Sequence, residues 1–297
     1  MEKIHYSHCP VCRSEKIRGE IQVKDYTVSG ELFTIMSCEN CTLRFTQDIP
    51  AEDAIAPYYK AESYVSHTDT KKGLINKLYH WVRRRTLARK RKLVRRYTGL
   101  EKGSLLDVGC GTGAFVYEMQ RHGWQAAGIE PDSGAREAAK KLYGLTVNTP
   151  DEFWQLPPAS ADAISLWHVL EHVHALHAYI EQLKKIIRPG GKIIIAVPNH
   201  TAKDAAVYGF HWAAYDVPRH LYHFSPGSIE VLMQQHGLRV AAYRPMWYDS
   251  FYISLLSSKY KTGKMKWLPA LWNGLRSNLA AWGNTKKCSS VIYIISK

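Results

Sequence analysis

A chain of 297 residues, 45% hydrophobic and 22% charged, can bury one substantial core plus a small accessory module. No run approaches the ~18 apolar residues of a membrane span, and the opening Met-Glu-Lys-Ile-His-Tyr has no secretory h-region, so a cytoplasmic protein is expected. The formal charge of +14 is local: Lys71 to Arg96 contains twelve Lys or Arg and no Asp or Glu, leaving +2 for the rest.

Four of the six cysteines form two pairs, Cys9-Pro-Val-Cys12 and Cys38-Glu-Asn-Cys41. Between them, Glu20 to Val28 and Glu31 to Ser37 read as strands, with Ser29-Gly30 as the tight turn. A hairpin that brings two Cys-x-x-Cys knuckles together offers four thiolates to a tetrahedral Zn²⁺, a structural site with no open position. Disulfides are the alternative, which a reducing cytosol disfavours. A redox Cys-x-x-Cys is another, but it would need only one pair. Residues 1–50 are therefore read as a zinc-ribbon module.

Residues 46–73 read as a linker whose Tyr58, Tyr59 and Tyr64 are suited to packing over a neighbouring surface. Leu74 to Tyr97 has no proline or interior glycine and carries apolar residues near helical spacing, so it reads as a basic helix. Linker and helix together occupy 51–99. Such a helix is either a solvated face or a surface for acidic lipid headgroups or nucleic acid. Its field also suits an anionic small substrate.

From Ser104 strands and helices alternate. Ser104 to Val108 is the first strand, followed by the turn Gly109-Cys110-Gly111-Thr112-Gly113 and a helix reaching about Gly123. Ala126 to Glu130 is the second strand, and its terminal carboxylate lies at the spacing from Asp107 that suits the ribose hydroxyls of a nucleoside. A helix over Ala135 to Leu142, a third strand over Leu145 to Asn148 and a fourth over Ala161 to Trp167 follow. A helix over Ala175 to Ile187 is stopped by Arg188-Pro189-Gly190-Gly191, and Lys192 to Pro198 is the fifth strand. After a long connection come a helix over Ser228 to Gly237, a sixth strand over Leu238 to Tyr243 and a last strand over Ser289 to Ile295. The insertion at about 244–288 holds Trp247, Trp267, Trp272 and Trp282 beside several lysines. It suits a bilayer interface, a greasy lid or a helical hairpin packed on the sheet.

The glycine turn admits two cofactor classes. Gly109-x-Gly111-x-x-Ala114 fits a dinucleotide fingerprint. Asp107-x-Gly109-x-Gly111-x-Gly113 resembles motif I of class I S-adenosylmethionine-dependent methyltransferases. Asp107 favours the second, because a dinucleotide site has an apolar interior there, where a lone charge is costly. The resemblance covers Ser104 to Tyr243, plus the last strand. It implies a methyltransferase domain over 100–297, with a Rossmann-like, mostly parallel seven-stranded sheet whose last strand is antiparallel. It also implies that Asp107 holds the methionine portion of S-adenosylmethionine and that the turn residues Gly109, Cys110, Gly111 and Gly113 approach it closely. On the same resemblance Glu130, with Pro131 beside it, would take the ribose, and Asp151 (or its neighbour Glu152) the adenine amino group. Trp167 and His168 line the place where cofactor and acceptor meet.

Candidate bases are His168, beside Glu171 and His172, and His220 in Pro218-Arg219-His220-Leu221-Tyr222-His223-Phe224. Arg219 is suited to clamp an acceptor carboxylate or phosphate. His168-x-x-Glu171-His172 also invites a metal on one helical face. Ubiquinone-pathway O-methyltransferases resemble this segment, but they carry Glu where this chain has His168, which weakens the metal reading. The order of zinc ribbon then methyltransferase also resembles some sugar C-methyltransferases and one group of ribosomal-RNA methyltransferases. The leading expectation is O- or C-methylation of a small, anionic or lipid- or sugar-linked acceptor, with an acidic membrane surface as a further partner of the basic helix and the Trp-rich insertion. RNA as acceptor is the first alternative, although the Asn/Asp-Pro-Pro-Tyr/Phe motif of base-nitrogen chemistry is absent. A non-catalytic zinc-containing binding protein is the second.

Overall fold

A computed structural model gives the fold, describing residues 3–59 and 74–297, with side chains of 74–81 left aside. Half of the expected linker, Tyr64 included, and the first basic residues from Lys71 lie outside the described residues. Two compact units share the chain. The first comprises Met1–Ser66, Leu170–Tyr179 and Ala196–Tyr293; the second comprises His67–Val169, Ile180–Ile195 and Ile294–Lys297.

The chain begins with β1 (Lys3–Ile4), β2 (Ile17–Lys24), β3 (Leu32–Cys38), β4 (Arg44–Thr46) and β5 (Ile49–Pro50), then the long α1 (Leu74–Thr98). The central alternation is β6 (Ser104–Val108), α2 (Ala114–Arg121), β7 (Gln125–Ile129), α3 (Ser133–Tyr143), α4 (Pro150–Gln155), β8 (Ala161–Trp167), α5 (Leu176–Ile186) and β9 (Ile187–Pro198). It closes with α6 (Lys203–Tyr208), β10 (Tyr222–His223), α7 (Pro226–Gln235), β11 (Arg239–Pro245), α8 (Asp249–Thr262), α9 (Trp267–Ala281) and β12 (Ser290–Ser296).

The large sheet has the order β11-β12-β9-β8-β6-β7, with β6 parallel to both β7 and β8. β12 thus lies beside β9, as expected for the last strand. Among the described residues this sheet has six strands, not seven. Leu145 to Asn148 forms no strand and contributes only an isolated parallel bridge between Ile129 and Asn148. Thr149 begins α4 at once: its backbone N–H donates to Glu152 at 2.7 Å, and Pro150 fixes the first helical turn, so the chain leaves the sheet after one pairing. The end of α5 also differs. The strand starts at Ile187, and a Cβ on Gly191 would lie 2.9 Å from the Asp162 carbonyl oxygen. Arg188-Pro189-Gly190-Gly191 therefore belongs to the strand, and Gly191 permits its close approach to a neighbour rather than ending the helix.

In the first unit a four-stranded sheet runs β10-β4-β3-β2, so Tyr222–His223 completes a sheet otherwise built from the first 46 residues. The β2–β3 loop is organised by an aspartate rather than by Ser29-Gly30 alone. The buried Asp25 carboxylate accepts from the N–H groups of Thr27, Val28 and Ser29 at 2.9, 3.2 and 2.8 Å. The 244–288 insertion is a helical hairpin. A Cβ on Gly274 of α9 would meet Phe251 of α8 at 2.6 Å, and Ser277 donates to buried Asp204 at 2.6 Å.

Candidate functional site

The second unit carries the glycine turn at the tip of β6. Asp107 is 2% exposed, with its register partners Gly128 on β7 and Ser165 on β8 at either side. Ser165 Oγ donates to it at 2.5 Å. Burial pushes the Asp107 carboxyl up to about 6; the Ser165 hydroxyl and the Lys90 ammonium oppose that shift, and Glu130 adds to it. Gly109 has φ 68°, and a Cβ there would lie 2.4 Å from Val169 Cγ2, so no larger residue fits. Gly111 differs: φ is 55°, but among the described residues nothing lies within 4 Å of where its Cβ would be. The turn is packed on one side and open on the other.

Glu130 follows β7. Its carboxylate accepts from Gly111 N–H at 2.8 Å and Asp132 N–H at 3.0 Å, tying it to the turn. Burial raises its pKa, and those two N–H groups moderate the rise. Each oxygen retains acceptor capacity beyond one bond. Pro131 is exposed beside it. Cys110 is part-buried, its thiol pushed up by burial and by the Asp107 and Glu130 carboxylates, and a Cβ on Gly128 would lie 2.5 Å from its sulfur. Its thiol is therefore protonated near pH 7. Glu152 is committed to the α4 cap, which leaves exposed Asp151 as the carboxylate of that pair not used by the cap. Trp167, at the end of β8, stands edge-on to Phe115, has Lys90 Nζ 4.1 Å from its ring centroid, and keeps Nε1 buried without a hydrogen-bond partner among the described residues.

An open cradle at Gly111, a buried acid at the strand tip and an orphaned indole N–H fit a cationic nucleoside such as S-adenosylmethionine. Ser165 and Lys90 were missed in the sequence. Ser165 had a signal, as the one polar residue in Ala163-Ile164-Ser165-Leu166-Trp167. Lys90 had none, being one of many cations on α1.

His168 takes φ 58° at the end of β8, and Leu170–His172 is a short 3-10 turn. The expected helical face carrying His168, Glu171 and His172 does not form, because the left-handed residue breaks the helical repeat. In the first unit, ligand atoms of Glu171, His172 and His220 instead lie within 4.8 Å of one another. His172 Nδ1 lies 2.9 Å from the Arg219 carbonyl and 3.0 Å from the Tyr59 hydroxyl. Burial and then the charge of His220 push His172 down to about 4, so it is neutral near pH 7. His220 Nδ1 lies 2.8 Å from the Ala214 carbonyl, and Nε2 is 4.0 Å from Asp216.

Arg219 does not offer itself to an acceptor. It is fully buried and donates to Asp216 at 2.7 and 3.1 Å, to Asp25 at 3.1 Å, to Thr27 Oγ1 at 2.9 Å and to the Tyr58 carbonyl at 2.8 Å. Burial would raise the pKa of Asp25, but the Ser29 and Thr27 N–H groups and Arg219 hold it below its usual value. Arg219→Leu strands that carboxylate, and the expected cost is about 3–5 kcal/mol of unfolding free energy, read from denaturant midpoints. A cost under about 1 kcal/mol would show that the cluster relaxes freely.

The cysteine knuckles share one build. Arg13 and Thr42, each following the second cysteine of a pair, take φ 62° and 63° and donate to the carbonyls of Cys9 and Cys38 at 3.0 Å. The Sγ atoms of Cys9 and Cys41 are 3.6 Å apart, those of Cys12 and Cys38 are 3.5 Å apart, and all four lie within 4.8 Å. A disulfide needs about 2.05 Å. A tetrahedron of Zn–S bonds near 2.3 Å has edges of about 3.8 Å, so the four sulfurs fit a zinc ion.

The sequence profile described as "Methyltransferase domain" matches residues 79–243, more than half of the chain. A ubiquinone biosynthesis O-methyltransferase of Nitrosococcus oceani is 26% identical over 185 residues, 58% of this chain and 76% of that protein. One from Pectobacterium carotovorum is 32% identical over 134 residues, 42% of this chain and 56% of that protein. Among solved structures, a SAM-dependent methyltransferase from Archaeoglobus fulgidus has 17% identity and a TM-score of 0.48, covering 72% of this chain and 94% of that one. With the glycine turn, its buried aspartate and the glutamate at the next strand tip in place, the profile match over more than half of the chain leaves one conclusion: this chain belongs to the methyltransferase-domain family and is a class I S-adenosylmethionine-dependent methyltransferase.

Proposed function

We propose that the enzyme methylates an oxygen of a small acceptor, one that is anionic or lipid- or sugar-linked. The observation that carries this reading is the likeness to ubiquinone biosynthesis O-methyltransferases across 58% of the chain. The Lys- and Arg-rich α1 supports an anionic acceptor through its field.

Asp107, Gly109, Cys110, Gly111, Gly113, Glu130, Pro131, Asp151, Trp167 and His168 are proposed to hold the cofactor. Asp107 would bind its amino-acid end and Glu130 its ribose hydroxyls. Gly111 would leave room for its body, and Asp151 would face the adenine. Bound there, S-adenosylmethionine supplies an electrophilic methyl group. The protein's part is to align the acceptor, exclude water and take the acceptor's proton.

His220 is the proposed base. Its Nδ1–H donating to Ala214 fixes the tautomer in which Nε2 accepts. His168, at the β8 tip, is the second candidate. Removing a general base costs about 10²–10⁴-fold in kcat, so His220→Ala is expected to fall in that range with cofactor affinity unchanged. A comparable loss in His168→Ala alone would move the role there.

Incubating the enzyme with methyl-labelled cofactor and fractionated cell extract tests the acceptor. Label in an alkali-stable, solvent-extractable or small anionic fraction is expected. Label retained in RNA would overturn the small-acceptor reading.

A further inference from the structure

The outer face of α9 is built the wrong way round for a helix that only packs on its own protein. Ala270, Gly274, Ser277 and Ala281 are its buried residues, small or polar. Outward stand Trp267, Leu268, Leu271, Trp272, Leu275 and Leu279, and Trp282 follows the helix end. Trp267, Leu268 and Trp282 are 68, 81 and 80% exposed. At ~100° per residue, the six helical ones fill an arc of about 140°. Together these seven side chains expose on the order of 900 Å² of mostly apolar surface, above the roughly 300–600 Å² of the largest patch on a typical monomer.

The charge that follows the start of α8 in the chain has one sign, although Asp249 itself stands one residue from Ser250, which bonds to Asn278 of α9. Asp249 is the last acidic residue in the sequence, and eight Lys or Arg follow it with no Asp or Glu. Lys259, Lys261, Lys264 and Lys266 are all exposed and cluster where α8 hands over to α9. The face is convex, so it is not a pocket for a small ligand. Two copies meeting through it would bring like charges together. A negatively charged apolar surface satisfies both halves: lipid tails take the Leu and Trp side chains, and headgroup phosphates take the ammonium groups. α9 has 15 residues, and among the described residues no helix is long and apolar enough to cross a membrane, so the geometry is that of a helix lying in the interface.

We propose that the outer face of α9, from Trp267 to Trp282, docks on the surface of an anionic phospholipid bilayer, with the lysines of the α8–α9 turn pairing with its phosphates. This docking does not depend on which acceptor is methylated.

The test is flotation of the full chain with two kinds of vesicle, one of phosphatidylcholine alone and one of phosphatidylcholine and phosphatidylglycerol in equal parts. Affinity for the anionic vesicles is expected to be about tenfold or more higher, and to weaken with salt. Leu268→Ser/Leu271→Ser/Trp272→Ser should lower that affinity about tenfold or more, with S-adenosylmethionine affinity and thermal midpoint unchanged. Lys261→Ala/Lys264→Ala/Lys266→Ala should remove the preference for the anionic vesicles.

If the serine variant fails to fold, the native protein decides: brominated acyl chains should quench its tryptophan emission on anionic vesicles. No vesicle binding by the native chain, or equal binding by a folded serine variant, overturns the proposal. So does a sedimentation-velocity dimer that the serine variant converts to monomer while neither form binds vesicles, which would identify a second copy as the occupant.

Discussion

Asp107→Asn is expected to weaken S-adenosylmethionine binding roughly ten- to hundredfold while leaving the protein folded and no less stable at pH 7.5. A hydrogen bond to a charged group is worth about 1.5–3 kcal/mol, which corresponds to roughly that range of Kd. The opposite response of the fold follows from burial. Asp107 titrates at about 6 in the folded chain, above the 3.8 of an ordinary aspartate. A raised folded pKa contributes stability that is fully present below the unfolded pKa and is lost as pH rises through 6. At pH 7.5 the ionised carboxylate is therefore a cost to the fold, and the amide relieves it.

Binding of a cationic amino-acid group runs the other way, needing the carboxylate. Affinity should be full above pH 6 and about tenfold lower at pH 5, and Asp107→Asn should flatten that profile. Gly111→Val is the steric companion. It fills the open side of the turn and forces a β-branched residue to a φ near 55°, so binding should vanish. Calorimetric titration from pH 5 to 8, with melting curves of each variant, checks both halves. Binding retained unchanged in both variants would show that the cofactor does not lie against this strand tip.

The second large effect concerns the cysteines. Purified protein is expected to carry one zinc per chain, and Cys38→Ser or prolonged chelation should remove it together with the cooperative unfolding of the N-terminal hairpin. Structural zinc in small modules is worth about 10–16 kcal/mol of apparent binding free energy, far above the stability that so small a segment supplies alone. Cys110→Ser, outside the cluster, should leave the stoichiometry at one. Elemental analysis and hydrogen exchange over residues 3–50 read these outcomes. Metal-free protein with a fully protected hairpin would refute the structural role.

The strand–turn–helix–strand run around Asp107 was legible because its signals are local. Asp107, the glycines and Glu130 lie within one strand–helix–strand run, where spacing alone sets their places. The four cysteines were legible for a similar reason, since two short turns and a hairpin suffice to bring them together. What failed depended on distant packing. The third strand was lost because Thr149, Glu152 and Pro150 started a helix one residue after the bridge. Arg219 looked like an anion clamp beside two histidines, but its partner Asp25 lies 194 positions earlier, and no periodicity reports such a pair. The histidine grouping was misassigned because the left-handed conformation of His168 cannot be read from residue type. For the Trp-rich insertion, the hairpin was among the expected forms. Its inside-out helix, with small residues buried and large ones exposed, emerged only once burial was known.

Calorimetric titration of the native chain with S-adenosylmethionine, run beside an identical titration with NAD, is the most direct trial of the central assignment. One saturable site for the sulfonium compound, displaced by S-adenosylhomocysteine, with no heat from NAD, is the expected outcome. Binding of NAD with no response to S-adenosylmethionine would contradict it.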